Sequence, residues 1–140
     1  MNTIKFRPVE KKDWRNVYFL LNQLTELLGT IRDEEACWNR FISNNSNNAI
    51  VGIYNDQIVA YGNIVIENKI RGELAGHIED IVVDREFRGK NYGVKLIEEL
   101  VKTGYEKDCY RITLTCDQSL ISFYHKNDFK VDNIAMKKRL

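Results

Sequence analysis

Residues 77–106, HIEDIVVDREFRGKNYGVKLIEELVKTGYE, constrain the fold more than any other stretch of the chain. A β-branched run, Ile81–Val83, empties into charged residues and then into a basic loop spaced by Gly89 and Gly93. The following VKLIEELVKTGY carries apolar residues at helical spacing, to about Lys107. A strand, a glycine-bearing loop and an amphipathic helix in this order require a sheet for the helix to cover. RITLTCD (111–117) then supplies another strand, SLISFYHKN (119–127) a short helix, and FKVDNIAMKKR (129–139) a closing strand.

The first half of the chain is consistent with that reading. TIKFRPV (3–9) alternates around Ile4 and Phe6 and reads as an opening strand. Asp13 is placed to cap a helix whose apolar face is Val17, Leu20, Leu21, Leu24 and Leu28, with Gly29 ending it. A second helix is expected over about 33–43, followed by a polar turn cluster, SNNSNN (43–48). AIVGIYNDQIVAYGNIVIE (49–67) reads as a hairpin turning at Asn55-Asp56. NKIRGELAG (68–76) reads as a polar connection leading to a strand at 77–83. The expected order is β-α-α-β-β-β-α-β-α-β, an α/β (α+β) mixed sheet flanked by helices.

A chain of 140 residues, 44% hydrophobic and 29% charged, suits one globular domain spanning 1–140. A formal charge of +1 gives no reason to expect nucleic acid or an anionic membrane as partner. No apolar run is long enough to cross a bilayer, and the first residues show no signal core. Cys37, Cys109 and Cys116 are odd in number and form no metal-binding pair, so a reduced, cytoplasmic setting and no metal are expected.

The loop is where ligand chemistry is expected. Glycine lets backbone approach a ligand closely, and the first helical amides lack internal partners. The helix dipole adds positive character, and Arg88 and Lys90 add full charges, which together suit a phosphate or pyrophosphate. A strand-to-helix turn needs a glycine in any case, so spacing alone leaves anion binding and a plain turn equally open. The pattern is neither a Walker loop nor G-x-G-x-x-G.

Arg88-Gly89-Lys90-Asn91-Tyr92-Gly93 resembles the [QR]-x-x-G-x-[GA] loop of the GNAT acetyltransferases, which holds the pyrophosphate of acetyl-CoA. Asn91 stands where the first motif glycine is usual, and asparagine tolerates unusual backbone angles. GHIEDIVVD, RGKNYG, CYRITLTCD, FYHKNDF and MKKR follow in the order and spacing of the glucosamine-6-phosphate N-acetyltransferase family. The chain resembles that family strongly from about Lys69 onward, and less strongly around LTELLGT (24–30).

The resemblance implies the GNAT fold, acetyl-CoA as cosubstrate, and acetyl transfer to the amine of glucosamine 6-phosphate on the route to UDP-N-acetylglucosamine. It implies that the backbone of Ile81, Val82 and Val83 pairs with the pantetheine arm, and that residues 88–94, Arg88 to Val94, hold the pyrophosphate. Thr115, Cys116 and Asp117 fall on the acetyl-CoA side as well. Glu79 is assigned to hold the amine and help it lose a proton, and Tyr124 to protonate the departing thiolate. Glu79 and Asp80 both match sugar-contacting positions, yet neighbours on a regular strand face opposite ways. Both reach one substrate only if the strand carries a bulge. An ordinary salt bridge for Glu79 and a core position for Tyr124 are the alternatives.

Thr25, Lys69, Arg71, Tyr110, Arg111 and Arg139 complete the implied acceptor set, with Lys69 and Arg139 on the sugar phosphate. The family completes its acceptor site across a homodimer. His77, on the Glu79 face, is read as a polar neighbour rather than a base. Cys116 raises an acetyl-cysteine route. A buried structural cysteine in an apolar strand, with direct attack in a ternary complex, is the favoured reading. Leu120 and Asp128 depart from the family's usual asparagine and glycine. Two other functions stay open: acetylation of a different small amine, and a non-catalytic CoA-binding domain.

Overall fold

Alternating apolar residues along three long strands decide the architecture seen in the computed structural model, which describes residues 3–23 and 33–140. β1 (Lys5–Pro8), β2 (Asn47–Tyr54), β3 (Gln57–Asn68), β4 (Leu74–Val83) and β5 (Cys109–Thr113) form one sheet in the order β1-β2-β3-β4-β5. The first four are antiparallel neighbours, and β5 runs parallel to β4. α1 (Trp14–Leu21) and α2 (Glu34–Ile42) precede β2, α3 (Tyr92–Glu106) crosses from β4 to β5, and α4 (Ile121–His125) follows β5.

The two faces of the sheet have separate cores. Ile64, Ile66 and Ile78 pack with Leu96, Ile97 and Leu100 of α3 and with Tyr124. On the other face Val51, Tyr61 and Val82 pack with Val17 and Leu20 of α1. The β2–β3 hairpin turns at Asn55-Asp56 as expected, with φ of 48° and 62°. Two consecutive left-handed residues match the twist of the flanking strands, and Asn and Asp accept them at low cost.

Four expectations need correction. Asp13 does sit at the N-cap of α1, but its carboxylate turns back instead of capping that helix. It accepts the Arg7 guanidinium at 2.7 and 2.9 Å and the Glu10 amide at 2.8 Å. Burial opposes its charge, but these partners outweigh burial and hold the carboxyl below its usual range. The connection after β3 is shorter than expected. Lys69 opens a tight turn, its amide bonded to the Glu73 carbonyl at 2.8 Å, and β4 starts at Leu74.

The strand expected over 111–117 begins earlier and stops at Thr113. The closing strand expected over 129–139 is not formed. No described strand pairs with that segment, and Val131, Ile134, Met136 and Leu140 are exposed, Ile134 and Met136 by 91% and 95%. Leu24, Thr25, Leu28 and Gly29 lie outside the described residues. No helix among the described residues is long and apolar enough to cross a membrane.

Candidate active site

The site begins with an irregularity in β4. Asn63 pairs with Glu79 and Tyr61 with Val82, so two steps along β3 match three along β4. The extra residue is Asp80, at φ 55°. Tyr61 and Val82 share the α1-side core, and Glu79 stands opposite Asn63 on that same side. Burial and the nearby Asp80 carboxylate both push the Tyr61 phenol up, so the Asp80 charge is also felt on this face. The bulge therefore breaks the strict alternation of a regular strand at Asp80, which frees the adjacent carboxylates Glu79 and Asp80, both exposed, from facing opposite ways. Asn63 beneath them is buried and fully engaged, accepting from the Asn48 amide and donating to Asn47.

The second element of the site is an open sheet edge. β5 pairs with β4 only from Leu74 to His77, the last rung being His77 with Thr113. Beyond it no described strand pairs with the outer edge of β4. The side chains of Ile81 and Val83 pack into the α3-side core and that of Val82 into the α1-side core, so their backbone is what faces this edge. An unpaired strand edge accepts an extended polyamide arm as it would another strand.

The loop follows directly. Asp84 caps a 3-10 turn at Arg85–Phe87, accepting from the Glu86 amide at 3.0 Å. Arg88 Nε donates to the Val83 carbonyl at 3.2 Å, which ties the loop to the strand end. Lys90 lies over the Phe87 ring at 5.6 Å. Gly89 (φ 80°) and Asn91 (φ 67°) both take left-handed conformations. Asn91 thus meets, with a residue that tolerates it, the demand its family position makes of a glycine. Tyr92 and Val94 bury their side chains, so only their amides, at the start of α3, are available to an anion. At Gly93 a Cβ would meet the Phe123 ring at 2.9 Å, so this glycine also lets α3 approach α4.

Tyr124 is 8% exposed, with its ring edge-on to Phe123 and Phe129 at 4.9 and 6.1 Å. Its hydroxyl has no hydrogen-bond partner among the described residues. No described polar side-chain atom is both fully buried and unpartnered, so this hydroxyl reaches open space. Burial, then the neighbouring Cys116, pushes the phenol up and keeps it protonated. A free, protonated phenol at a surface opening suits an acid. Asp128, at φ 64°, ends α4 in the conformation its usual glycine would take, and the Phe129 amide returns to the Tyr124 carbonyl.

Cys116 is a further correction. It lies beyond the end of β5 and is exposed, not buried in a strand. Hydrogen bonding gives it no base among the described residues, so nothing there activates it as a nucleophile. Thr115 is exposed beside it, and Asp117 caps the turn at Gln118–Leu120 through the Ser119 amide, which holds its carboxyl low.

The implied acceptor cations are only partly assembled. Lys69 pairs with Glu67 at 3.2 Å, and Glu67 in turn accepts at 2.9 Å from His77, which is two residues from Glu79 along β4. Arg71 points away, paired with Glu73 at 2.8 Å at the hairpin tip. Arg111 lies over the Tyr110 ring at 5.1 Å on the outer strand β5. Arg139 makes no contact with the site and no ion pair among the described residues, and Thr25 lies outside them. The Glu67–His77–Thr113 chain was not anticipated from sequence, because its members are far apart along the chain and meet only through strand register.

Comparison with known proteins agrees with this geometry. Residues 11–129 match the acetyltransferase (GNAT) family model. The chain is 33% identical over 139 residues to glucosamine 6-phosphate N-acetyltransferase 1 of Dictyostelium discoideum, covering 95% of this chain and 88% of that one. It is 35% identical to the Arabidopsis thaliana glucosamine 6-phosphate N-acetyltransferase, covering 97% of this chain and 96% of that one. The crystal structure of an A. thaliana glucosamine-6-phosphate N-acetyltransferase superposes with a TM-score of 0.89 at 33% identity, over 98% of each chain.

Proposed function

Because the chain belongs to the acetyltransferase (GNAT) family, and to its glucosamine 6-phosphate N-acetyltransferase branch, we propose that it acetylates the amine of glucosamine 6-phosphate from acetyl-CoA. The product, N-acetylglucosamine 6-phosphate, would feed UDP-N-acetylglucosamine formation in the cytoplasm. The observation that carries this reading is the Asp80 bulge, which sets two carboxylates beside an open strand edge. The edge at 81–83, the amides of 92–94 and the open space around Gly89 fit a pantetheine arm and its pyrophosphate.

In this reading Glu79 orients the amine and receives its proton, directly or through water, while Asp80 holds sugar hydroxyls. A β4 amide binds the developing oxyanion. Tyr124 gives its proton to the departing thiolate. Lys69 and Arg139 bind the sugar phosphate. Acetyl release should be fast with glucosamine 6-phosphate and slower with unphosphorylated glucosamine. The same poor rate with both sugars, or a preference for a polyamine or aminoglycoside, would reject the acceptor.

The exposed apolar residues of 129–140 and the single-sided strand β5 support a homodimer, in which Arg139 serves the partner's site. Glu79→Gln and Arg139→Ala would then break different halves of one site. Mixed dimers of the two variants contain one site with both residues intact. Refolding the two inactive variants together should restore activity, approaching a quarter of wild type when half the dimers are mixed. No recovery on mixing would show that each chain builds its site alone.

A further inference from the structure

Resting on the reading of Lys69 as a sugar-phosphate ligand, we propose that His77 is a positioning residue that sets Lys69 for the acceptor through Glu67. Four side chains from three adjacent strands and one turn form a continuous chain. Thr113 Oγ1 lies 2.8 Å from His77 Nδ1, His77 Nε2 lies 2.9 Å from Glu67 Oε1, and that same oxygen lies 3.2 Å from Lys69 Nζ. Register explains the assembly. His77 is paired with Thr113 on one side and with Val65 on the other, and Glu67 follows two residues after Val65 on the same face.

The chemistry gives the chain a direction. An ionised carboxylate only accepts, so Nε2 carries the hydrogen, and in the neutral ring Nδ1 accepts from the Thr113 hydroxyl. His77 and Lys69 together hold the Glu67 carboxyl below its usual range, so it is ionised at neutral pH. An ionised Glu67 beside Lys69 would by itself neutralise the cation and repel an incoming phosphate. The hydrogen bond from His77 draws on the shared oxygen and fixes its place. His77, which holds that oxygen, stands two residues from Glu79 along β4, about 6.6 Å, and Lys69 keeps donors to spare.

Two substitutions separate the links of the chain. Asparagine places its amide near the position of Nδ1 and keeps contact with Thr113, whereas glutamine places its amide near Nε2 and keeps contact with Glu67. His77→Asn should raise the KM for glucosamine 6-phosphate about tenfold with kcat and the KM for acetyl-CoA nearly unchanged. His77→Gln should restore the KM to within about twofold of wild type. Equal effects of the two variants, or a larger effect of glutamine, would overturn the proposal, since the rung to Thr113 would then be what matters.

Lys69→Met separates this inference from the function it rests on. If Lys69→Met abolishes the preference for the phosphorylated sugar, His77→Asn should add almost nothing in that background. An undiminished tenfold effect there overturns the positioning role alone. If Lys69→Met leaves the preference intact, the assignment of Lys69 fails and the role of His77 fails with it.

Discussion

Tyr124→Phe should lower turnover by about 10²–10⁴-fold, the usual scale for loss of a general acid. The ring is held edge-on by Phe123 and Phe129, and phenylalanine keeps both contacts. Only the hydroxyl is lost, and it has no partner within the described residues, so the fold loses no hydrogen bond. Without its proton a thiolate must leave charged from a partly dry site, which is costly. The KM for both substrates should change little, because the lost interaction belongs to the transition state. Burial raises the phenol, so the acid form persists to pH values above the ordinary tyrosine range of about 10. Any fall in rate near pH 7–9 must therefore come from another group. Single-turnover measurement across this range checks both points, and near-native turnover would reduce Tyr124 to a packing residue.

Gly93→Val should weaken acetyl-CoA binding by at least about 100-fold, a loss of about 2.7 kcal/mol. Two effects combine. The side chain stands beside the amides that would receive the pyrophosphate, and each charged hydrogen bond lost there costs about 1.5–3 kcal/mol. Its Cβ also meets the Phe123 ring at 2.9 Å, next to Tyr124, so α4 must shift. Gly89→Ala differs in cause. An added Cβ there meets no protein atom within 4 Å, but at a φ of 80° it strains the backbone by about 1–2 kcal/mol and stands in the space proposed for the pyrophosphate, so it too should weaken acetyl-CoA without displacing α4. Titration calorimetry with acetyl-CoA, with circular dichroism to verify folding, compares the two. Unchanged affinity in folded Gly93→Val would remove the loop from the cosubstrate site.

Local signals carried much of this structure. The Asn55-Asp56 turn, the glycine loop and the helix behind it are legible because backbone preference and short-range periodicity act within a few residues. Asp13 shows where such signals stop. A cap is recognisable by position, but whether its carboxylate serves the next helix or the Arg7 guanidinium depends on where β1 lies. Cys116 shows the same limit. Its apolar neighbours suggested a buried strand, but β5 ends at Thr113 and leaves it exposed.

The sequence by itself determined which chemical groups are present and in what order: two adjacent carboxylates, an anion-suited loop, a tyrosine on a short helix. Among the described residues each left-handed position other than glycine falls on Asn or Asp, the residues that tolerate it. Only the tertiary structure decided that β4 bulges at Asp80 beside Glu79, because a bulge is a mismatch between two strands and neither strand encodes it alone. Pairing of β3, β4 and β5 likewise decided that Glu67, His77 and Thr113 meet, since register is set by the summed burial of whole strands. The closing segment marks the other boundary. Its alternating pattern specifies a strand, but a strand forms only against a neighbour, and among the described residues 129–139 finds none.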